Sequence, residues 1–233
     1  MSTEASANMF VEAFSDPAKV AQYLDGPRRF VPGLADLHRM TSILLAEHAP
    51  RDARILVLGA GGGMELKAMA EAHPGWTFVG IDPSGPMLNL AAETLGPHRN
   101  RVEFVQGYIE DAPLGPFDAA TCLLTLHFLS AEERQRTASD IRRRLKPGAP
   151  FVAAHGSFPQ ESDQRPQWLS RYAAFALASG VDPEMVGKAR DAVDMHVNMF
   201  SPDQDEQILS DAGFSDVSLF FAAFTFRGWV GRA

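Results

Sequence analysis

The chain has 233 residues, 45% of them hydrophobic, which is enough for one sizeable core and an appended helical cap. Its formal net charge of −8 argues against extended nucleic-acid binding, and its single cysteine, Cys122, excludes an internal disulfide and any multi-cysteine metal site. Because no apolar run reaches the roughly 18 residues of a membrane span and the first residues lack a secretory signal pattern, we expect a cytoplasmic protein without membrane contact that acts on a small molecule.

Residues 1–50 are predicted to be helical. Apolar spacing indicates a short amphipathic segment at 10–14, a second at 18–24 and a longer helix at 34–49. These helices either pack against a sheet or form a lid over a ligand cleft.

The segment 54–72 is the most informative part of the chain. A continuous apolar run, ILVL, is typical of a strand that is buried on both faces of a parallel sheet. It ends at Gly59-Ala60-Gly61-Gly62-Gly63, and a helix over 63–72 follows. Strand, glycine turn and helix in this order form the first half of a βαβ nucleotide-binding unit, because glycines let the backbone approach a ligand closely.

Strands and helices then alternate regularly up to residue 154. The predicted strands are 76–81, 102–106, 117–124 and 150–154, and the predicted helices begin at Pro83-Ser84 and Ala131. Such alternation is typical of an α/β doubly wound fold, here a mainly parallel, seven-stranded sheet. Residues 158–212 are predicted to be a mainly helical insertion on the substrate side, and 213–233 an antiparallel β-hairpin that completes the sheet. We therefore expect one domain, with a core at 51–157.

Two cofactor classes use a glycine turn followed by an acidic residue at the end of the second strand. Dinucleotides and S-adenosylmethionine both place ribose hydroxyls on such a carboxylate, here Asp82, which follows Gly59 by 23 residues. The dinucleotide fingerprint requires a small residue three positions after its second glycine, where this chain has Met64. The turn therefore suits a ligand without a pyrophosphate.

Five segments, taken together and in order, resemble the class I S-adenosylmethionine-dependent methyltransferases over about residues 28–231. They are VLGAGGG, VGIDPSGPML, VEFVQGYIEDAP, FDAATCLLTLHFL and LKPGAPFVAAH. The resemblance implies S-adenosylmethionine as cofactor and S-adenosylhomocysteine as product.

The resemblance also implies roles for individual residues. Asp82 would bind the ribose hydroxyls, and the glycine turn would line the methionine and the ribose. The implied cofactor-binding residues are, in the turn, Gly59, Ala60, Gly61 and Gly63; at the adenine, Pro83, Met87, Tyr108 and Ile109; and under the sulfonium, Leu123 and Leu124.

The chain departs from the family pattern at two acidic positions. The family usually has Asp or Glu two residues before the first motif glycine, where it helps to bind the cofactor's amino group, and this chain has Val57. The acidic residue that usually follows the strand-3 glycine is replaced by Tyr108. Either cofactor binding is weaker here, or part of it is supplied by Glu65, Glu110 or Asp111.

Within this superfamily the chain is most similar to the carboxy-S-adenosylmethionine synthases. The shared segments are RRFVPG, LLTLHFLSAEERQ, LKPGAPFV and SDAGFSDVSLFF. That family binds the extra carboxylate of its product through a tyrosine, an asparagine and an arginine, and the matching positions here are Leu34, Leu123 and Ile208. Burying a carboxylate against these apolar residues would cost several kcal/mol, about 2–5, so we expect plain S-adenosylmethionine and methyl transfer.

Methyl transfer requires alignment of acceptor, methyl carbon and sulfur, with a base only where the acceptor must lose a proton. His127, after strand 4, is the first candidate for that base or for positioning the acceptor, and His155, after strand 5, is the second; the alternative for both is a structural histidine. No metal site is predicted. Candidate acceptor-pocket residues in the insertion are Trp168, Tyr172, Phe175, Met195, His196 and Met199, with Arg165 and Arg171 available to an anionic acceptor.

The expected partner is a small-molecule methyl acceptor, and homodimer formation through the N-terminal helices or the Phe-rich tail is compatible with the sequence. Three alternatives stay open at this point. They are an atypical carboxy-S-adenosylmethionine synthase, a non-catalytic cofactor-binding scaffold and, least favoured because of Met64, a dinucleotide oxidoreductase.

Overall fold

The structure is a computed structural model that describes Val20 and residues 23–233. The amphipathic segment predicted at 10–14 and most of the one at 18–24 lie outside the described residues. The described part begins with a 3₁₀ turn at Tyr23–Asp25 and a short helix α1, Gly26–Phe30. Helix α2, Leu34–Ala46, follows and ends three residues before the predicted boundary.

A seven-stranded sheet forms the centre of the molecule, in the spatial order β3-β2-β1-β4-β5-β7-β6. Strands β1 to β5 are parallel, and β7 pairs antiparallel with both β5 and β6. The strands are β1 Arg54–Leu58, β2 Thr77–Asp82, β3 Val102–Gln106, β4 Ala119–Leu123, β5 Pro150–Gly156, β6 Ser215–Ala223 and β7 Phe226–Arg232. The predicted fold class, including the antiparallel C-terminal hairpin, is confirmed.

Six further helices connect or follow these strands within the described residues. They are α3 Met64–Ala72, α4 Gly85–Leu95, α5 Ala131–Arg144, α6 Arg165–Ala178, α7 Pro183–His196 and α8 Pro202–Asp211. Several begin where the sequence supplies a side-chain cap: Ser84 accepts a hydrogen bond from the Met87 amide, and Ser130 and Ser201 form capping boxes. In the described part of the chain, no helix combines the length and apolar composition that crossing a bilayer requires.

Alternate side chains of the central strands supply two hydrophobic cores, one on each face of the sheet. On one face Ile55 and Val57 pack with α2, α3 and α4 through residues such as Leu37, Leu66 and Leu88. On the other face Leu56 and Leu58 pack with α5 and α8. Because β1 is buried on both faces from Ile55 onward, its four side chains from Ile55 to Leu58 are all apolar, as expected for a central parallel strand.

Strand β4 is shorter than the predicted 117–124, and both ends have a local explanation. Phe117 forms only an isolated bridge with Leu145. At the other end Leu124 has a positive φ of 56°, so the chain leaves the extended conformation after Leu123. This departure turns the chain toward the loop after β1.

The loops after β1 and β4 approach each other at the point where the strand order reverses. Gly59 has a φ of +75°, and a Cβ at this position would lie 1.9 Å from Thr125 Oγ1. Thr125 in turn donates a hydrogen bond to the Leu123 carbonyl at 3.1 Å. Glycine at 59 is therefore required both by the backbone conformation and by the closeness of the neighbouring loop.

A buried ion pair between Arg134 and Asp205 joins α8 to α5, and both helices pack on the same face of the sheet. The side chains of both residues are almost completely buried, at 1% and 0% exposure. Arg134 also donates to the carbonyls of Leu126 at 3.1 Å and Asn198 at 2.8 Å, and its guanidinium lies 4.5 Å from the Phe200 ring. Through one side chain, Arg134 connects the loop after β4 with the segment that precedes α8.

We expect Gly59→Ala to destabilise the protein by about 3 kcal/mol, because alanine adds left-handed backbone strain to the overlap with Thr125. The control is Gly148→Ala, where φ is +74° but no described atom lies within 4 Å of the added Cβ, so that strain alone should cost about 1 kcal/mol. Urea unfolding of both variants measures the difference. Equal losses would show that the approach of Thr125 does not require glycine at 59.

We expect Asp205→Asn to lower the free energy of unfolding by about 3–5 kcal/mol, since it leaves the Arg134 charge buried without its counter-ion. Glu206→Gln makes the same chemical change at the next, exposed residue and should stay within about 0.5 kcal/mol of the parent. Chemical denaturation is again the measurement. A loss below about 1 kcal/mol for Asp205→Asn would mean that the pair does not hold α8 on the sheet.

Candidate functional site

The carboxyl ends of β1, β2 and β4 meet at one edge of the sheet, next to the reversal of strand order. In open α/β sheets this position outside the strand ends is where ligand clefts lie. The glycine turn 59–63 follows β1, Asp82 ends β2, and Leu124 and Thr125 follow β4. The structure therefore brings together the cofactor-binding residues that the sequence predicts in the first, second and fourth motifs.

The Asp82 carboxylate is held in place by two backbone amides. Its Oδ2 accepts from the Gly61 amide and its Oδ1 accepts from the Ser84 amide, both at 2.9 Å. Burial raises the pKa of Asp82, and these two hydrogen bonds act in the opposite direction. Each carboxylate oxygen keeps a further lone pair, so a pair of ribose hydroxyls can bind to a carboxylate whose orientation is already set.

The amides of the glycine turn are largely used within the protein. Gly59 and Ala60 both donate to the Ile81 carbonyl, at 2.8 and 2.9 Å, and Gly63 donates to the Ala60 carbonyl at 3.0 Å. With Gly61 bonded to Asp82, four of the five turn amides have protein acceptors. A phosphate-binding turn presents such amides to its ligand, so this turn suits a nucleoside better than a pyrophosphate.

The predicted adenine-side residues divide into buried and exposed members. Met87 is buried, and its Cε would lie 3.6 Å from a Cβ on Gly61. Pro83 is half-buried and Ile109 is buried, whereas Tyr108 is 53% exposed. The Tyr108 amide donates to Asp111 Oδ2 at 2.9 Å, so this carboxylate closes the local 3₁₀ turn.

The end of β4 provides an apolar surface below the switch point. Leu123 is buried, and Leu124, with its positive φ, donates its amide to the Ala154 carbonyl. A left-handed leucine is uncommon and costs about 1–3 kcal/mol, so the surrounding structure must hold it. This surface lies where the sequence places the residues under the sulfonium, and it is free of charged side chains at 123 and 124.

A buried carboxylate lies beside the position of the missing family acid. Val57 pairs in register with Thr121 of β4. The Thr121 hydroxyl donates to Glu65 Oε1 at 2.6 Å, and Glu65 is only 7% exposed. Burial raises the pKa of Glu65 to about 8, and the hydrogen bond from Thr121 opposes this only in part.

The two candidate catalytic histidines lie next to the buried ion pair. His127 Nδ1 accepts from the Gly156 amide at 3.0 Å, so the neutral ring carries its proton on Nε2. Its basic lone pair is therefore occupied, and burial holds its pKa well below the usual range. An Nε2–H group can position an acceptor but cannot remove a proton.

His155 is 1% exposed and lies 3.2 Å from Asp205 Oδ1 through its Nε2. Burial lowers its pKa, and within residues 23–233 its Nδ1 has no hydrogen-bond partner. These contacts favour a structural role for His155. A catalytic role for either histidine stays a prediction.

The candidate acceptor-pocket residues are not all in one place. Met199 lies against Gly156, where an added Cβ would be 2.5 Å from its Cε, and is thus close to His127. Tyr172 is buried and stacks on Phe30 with ring centroids 5.5 Å apart, whereas Met195 is 68% exposed. The guanidinium groups of Arg171 and Arg227 lie over the Trp168 ring, and Phe175 contacts Phe224 edge-to-face. His196 is the last residue of α7. Arg165 forms an ion pair with Asp194 at 2.8 Å.

Sequence reasoning missed four residues that the structure places at or behind the site. Thr125 and Tyr23 contact the glycine turn, and Arg134 and Asp205 form the pair beneath the histidines. Arg134 lies in a helix with several other charged residues. Nothing in the local sequence distinguishes this buried arginine from the solvent-exposed arginines of the same helix. In the described part of the chain, no group of His, Cys, Asp and Glu side chains is placed to hold a metal ion.

The three positions that match the carboxylate-binding residues of the synthases are also separated. Leu34 and Leu123 belong to the same hydrophobic core. Ile208 lies on α8, which packs through Leu209 into the core on the other face of the sheet. The structure thus brings two of these positions together and not the third.

Comparisons with known proteins agree with the fold and the motifs. Residues 56–151 match the family described as methyltransferase domain. The carboxy-S-adenosyl-L-methionine synthase of Chromohalobacter salexigens is 27% identical over 219 residues, covering 92% of this chain and 81% of that protein. The synthase of Campylobacter hominis is 24% identical over 233 residues and is covered completely.

Two solved structures extend the comparison. Human N-acetylserotonin methyltransferase in complex with SAM superposes with a TM-score of 0.64 at 17% identity over 96% of this chain, and PigF with SAH superposes with a TM-score of 0.70 at 20% identity over 96%. The chain spans only 58% and 62% of these larger proteins. Over residues 56–151 the chain is thus similar to methyltransferase domains, over almost its whole length it is similar to the carboxy-S-adenosylmethionine synthases, and it shares the fold of solved S-adenosylmethionine-dependent methyltransferases.

Proposed function

We propose that the chain transfers the methyl group of S-adenosylmethionine to a small molecule and releases S-adenosylhomocysteine. The observation that carries this proposal is the Asp82 carboxylate, oriented by the Gly61 and Ser84 amides at the end of β2. Its remaining lone pairs match the two hydroxyls of a ribose. Gly59, Ala60, Gly61 and Gly63 would line the cofactor on the side of β1, and Pro83, Met87, Tyr108 and Ile109 would surround its adenine.

The turn itself supports a sulfonium nucleoside over a dinucleotide. Its amides are bonded to protein carbonyls and to Asp82, so little donor capacity remains for a pyrophosphate. Met64 also occupies the position where a dinucleotide fingerprint requires a small residue.

When bound, S-adenosylmethionine supplies a methyl group that is already activated on a positively charged sulfur. The protein then has to bind the acceptor, align it and exclude water. Leu123 and Leu124 provide an apolar floor at the end of β4, and the His127 Nε2–H group is available to orient a polar acceptor atom. Met199, beside His127, would form part of the acceptor wall.

A carboxy-S-adenosylmethionine synthase-like activity is the second candidate, and the identity to proteins of that name over almost the whole chain favours it. Against it stand Leu34, Leu123 and Ile208, since none of these side chains can hydrogen-bond a carboxylate. Leu34 and Leu123 lie in one hydrophobic core, where an unpaired carboxylate would be costly. A scaffold that binds the cofactor without catalysis remains the non-enzymatic alternative.

We expect S-adenosylhomocysteine at 100 times its dissociation constant to raise the free energy of unfolding by about 2.7 kcal/mol, and NAD to leave it unchanged. Asp82→Asn should weaken S-adenosylhomocysteine binding about tenfold to a hundredfold, because it removes a charge-assisted acceptor of the ribose. Thermal-shift and calorimetric titration measure both effects. Asp52→Asn, an exposed aspartate before β1, is the matched control. Unchanged affinity in Asp82→Asn would contradict the proposed ribose contact.

We expect plain S-adenosylmethionine to bind at least about tenfold more tightly than carboxy-S-adenosylmethionine, since the extra carboxylate would be buried against Leu34 and Leu123. Competitive calorimetry with the two compounds is the measurement. The reverse order of affinities would favour the synthase-like activity over methyl transfer.

A further inference from the structure

This chain has Val57 where the family usually has an acidic residue, so no side chain at this position can bind the cofactor's amino group. That acid helps to bind the cofactor's amino group, and a buried valine cannot accept a hydrogen bond from it. If the chain binds the cofactor as proposed, an ammonium group would otherwise lie at the end of β1 without a carboxylate. The structure shows what stands next to this position.

Glu65, in the first turn of α3, places a carboxylate close to Val57. Its Oε1 accepts from the Thr121 hydroxyl at 2.6 Å, and Thr121 is the direct register partner of Val57 across the β1–β4 pairing. Side chains of register partners in parallel strands point to the same face of the sheet. The Glu65 carboxylate therefore lies on the face of Val57, one strand away.

Tyr23 connects Glu65 with the cofactor cleft. The Tyr23 hydroxyl lies 3.6 Å from the position of a Cβ on Gly61, so it is directly above the glycine turn. Burial raises the pKa of this hydroxyl most, and the charges of Asp82 and Glu65 raise it further, so both carboxylates are near enough to act on the phenol. Glu65 is thus close to the residue that covers the glycine turn.

A buried carboxylate is costly when nothing positive is close, and the described surroundings of Glu65 supply only a hydroxyl. The pKa of Glu65 is accordingly raised to about 8, so that the side chain is mainly protonated at neutral pH. The Thr121 hydroxyl needs an acceptor here but not a charged one, so stability alone does not explain an ionisable side chain at this position. A cationic ligand supplies the reason.

We propose that Glu65 is the residue that binds the methionine ammonium group of the cofactor, in place of the acid that the family carries at the position of Val57. This inference rests on the proposed cofactor binding and assigns one subsite of it. The other two acidic candidates are placed differently. Asp111 is bonded to the Tyr108 amide, and Glu110 is exposed beyond β3.

The test compares ligands that differ only in the amino-acid end, using the intact protein and Glu65→Gln. We expect Glu65→Gln to weaken S-adenosylhomocysteine about tenfold to a hundredfold and to leave 5′-methylthioadenosine, which lacks the amino acid, within about twofold. Decarboxylated S-adenosylhomocysteine, which keeps the amine and lacks the carboxylate, should be weakened as strongly as S-adenosylhomocysteine. Calorimetric titration gives all three affinities.

A proton balance provides a second readout. Binding an ammonium group to a carboxylate that is mainly protonated in the free protein must release a proton, so S-adenosylhomocysteine affinity should rise between pH 6 and 7.5, about the range below the pKa of Glu65. The other ionisable groups that interact with Glu65 are Tyr23 and Cys122, and Asp82 in turn acts on Tyr23. All three groups remain in Glu65→Gln. We therefore expect S-adenosylhomocysteine binding to release a proton in the parent and almost none in the variant. Calorimetry at pH 7 in two buffers of different ionisation enthalpy measures this release.

Glu71→Gln, at the exposed end of the same helix, is the control for the amide substitution and should match the parent in every measurement. Glu65→Ala, checked for folding by thermal unfolding, repeats the comparison should the glutamine variant not fold. Equal weakening of all three ligands, or of none, would overturn the assignment while leaving cofactor binding intact. If the parent protein does not bind S-adenosylhomocysteine at all, the proposed function itself fails.

Discussion

The structure depends on the close approach of two loops at the reversal of strand order. Gly59 leaves β1 with a positive φ and leaves no room for a side chain, because Thr125 from the loop after β4 occupies that space. The turn can then pass under the cleft, and its Gly61 amide reaches the Asp82 carboxylate. The absence of a side chain at Gly59 therefore allows the ends of β1, β2 and β4 to meet at one position.

The two halves of the cleft are held by different kinds of interaction. On the donor side, backbone amides and the Asp82 carboxylate set the geometry, and few side chains take part. On the acceptor side, the buried Arg134–Asp205 pair fixes the loop after β4 and the segment before α8. His155 lies against this pair and has the surroundings of a structural histidine, whereas His127 is held through its Nδ1 by the Gly156 amide.

Much of the fold could be predicted from the sequence because its signals are local. Apolar runs, the glycine turn and the helix start at Pro83-Ser84 marked the strands and helices between residues 54 and 154 to within a few residues, and the motifs indicated Asp82 and the glycine turn. The relation of Glu65 to Val57 could not be predicted, since it depends on the β1–β4 register through Thr121. The Arg134–Asp205 pair joins residues 71 positions apart, and the left-handed Leu124 that shortens β4 carries no sequence signal.

The position of Arg134 has a consequence for how such a protein diverges over time. Its hydrogen bonds join the loop after β4 to the segment before α8, so substitution of Arg134 is expected to destabilise the whole fold. Helices α6 and α7 have many exposed residues and a small apolar cluster of their own, and Tyr172 connects them to the main core. Exposed positions of these two outer helices can therefore vary more freely over time than Arg134 and the residues that it binds.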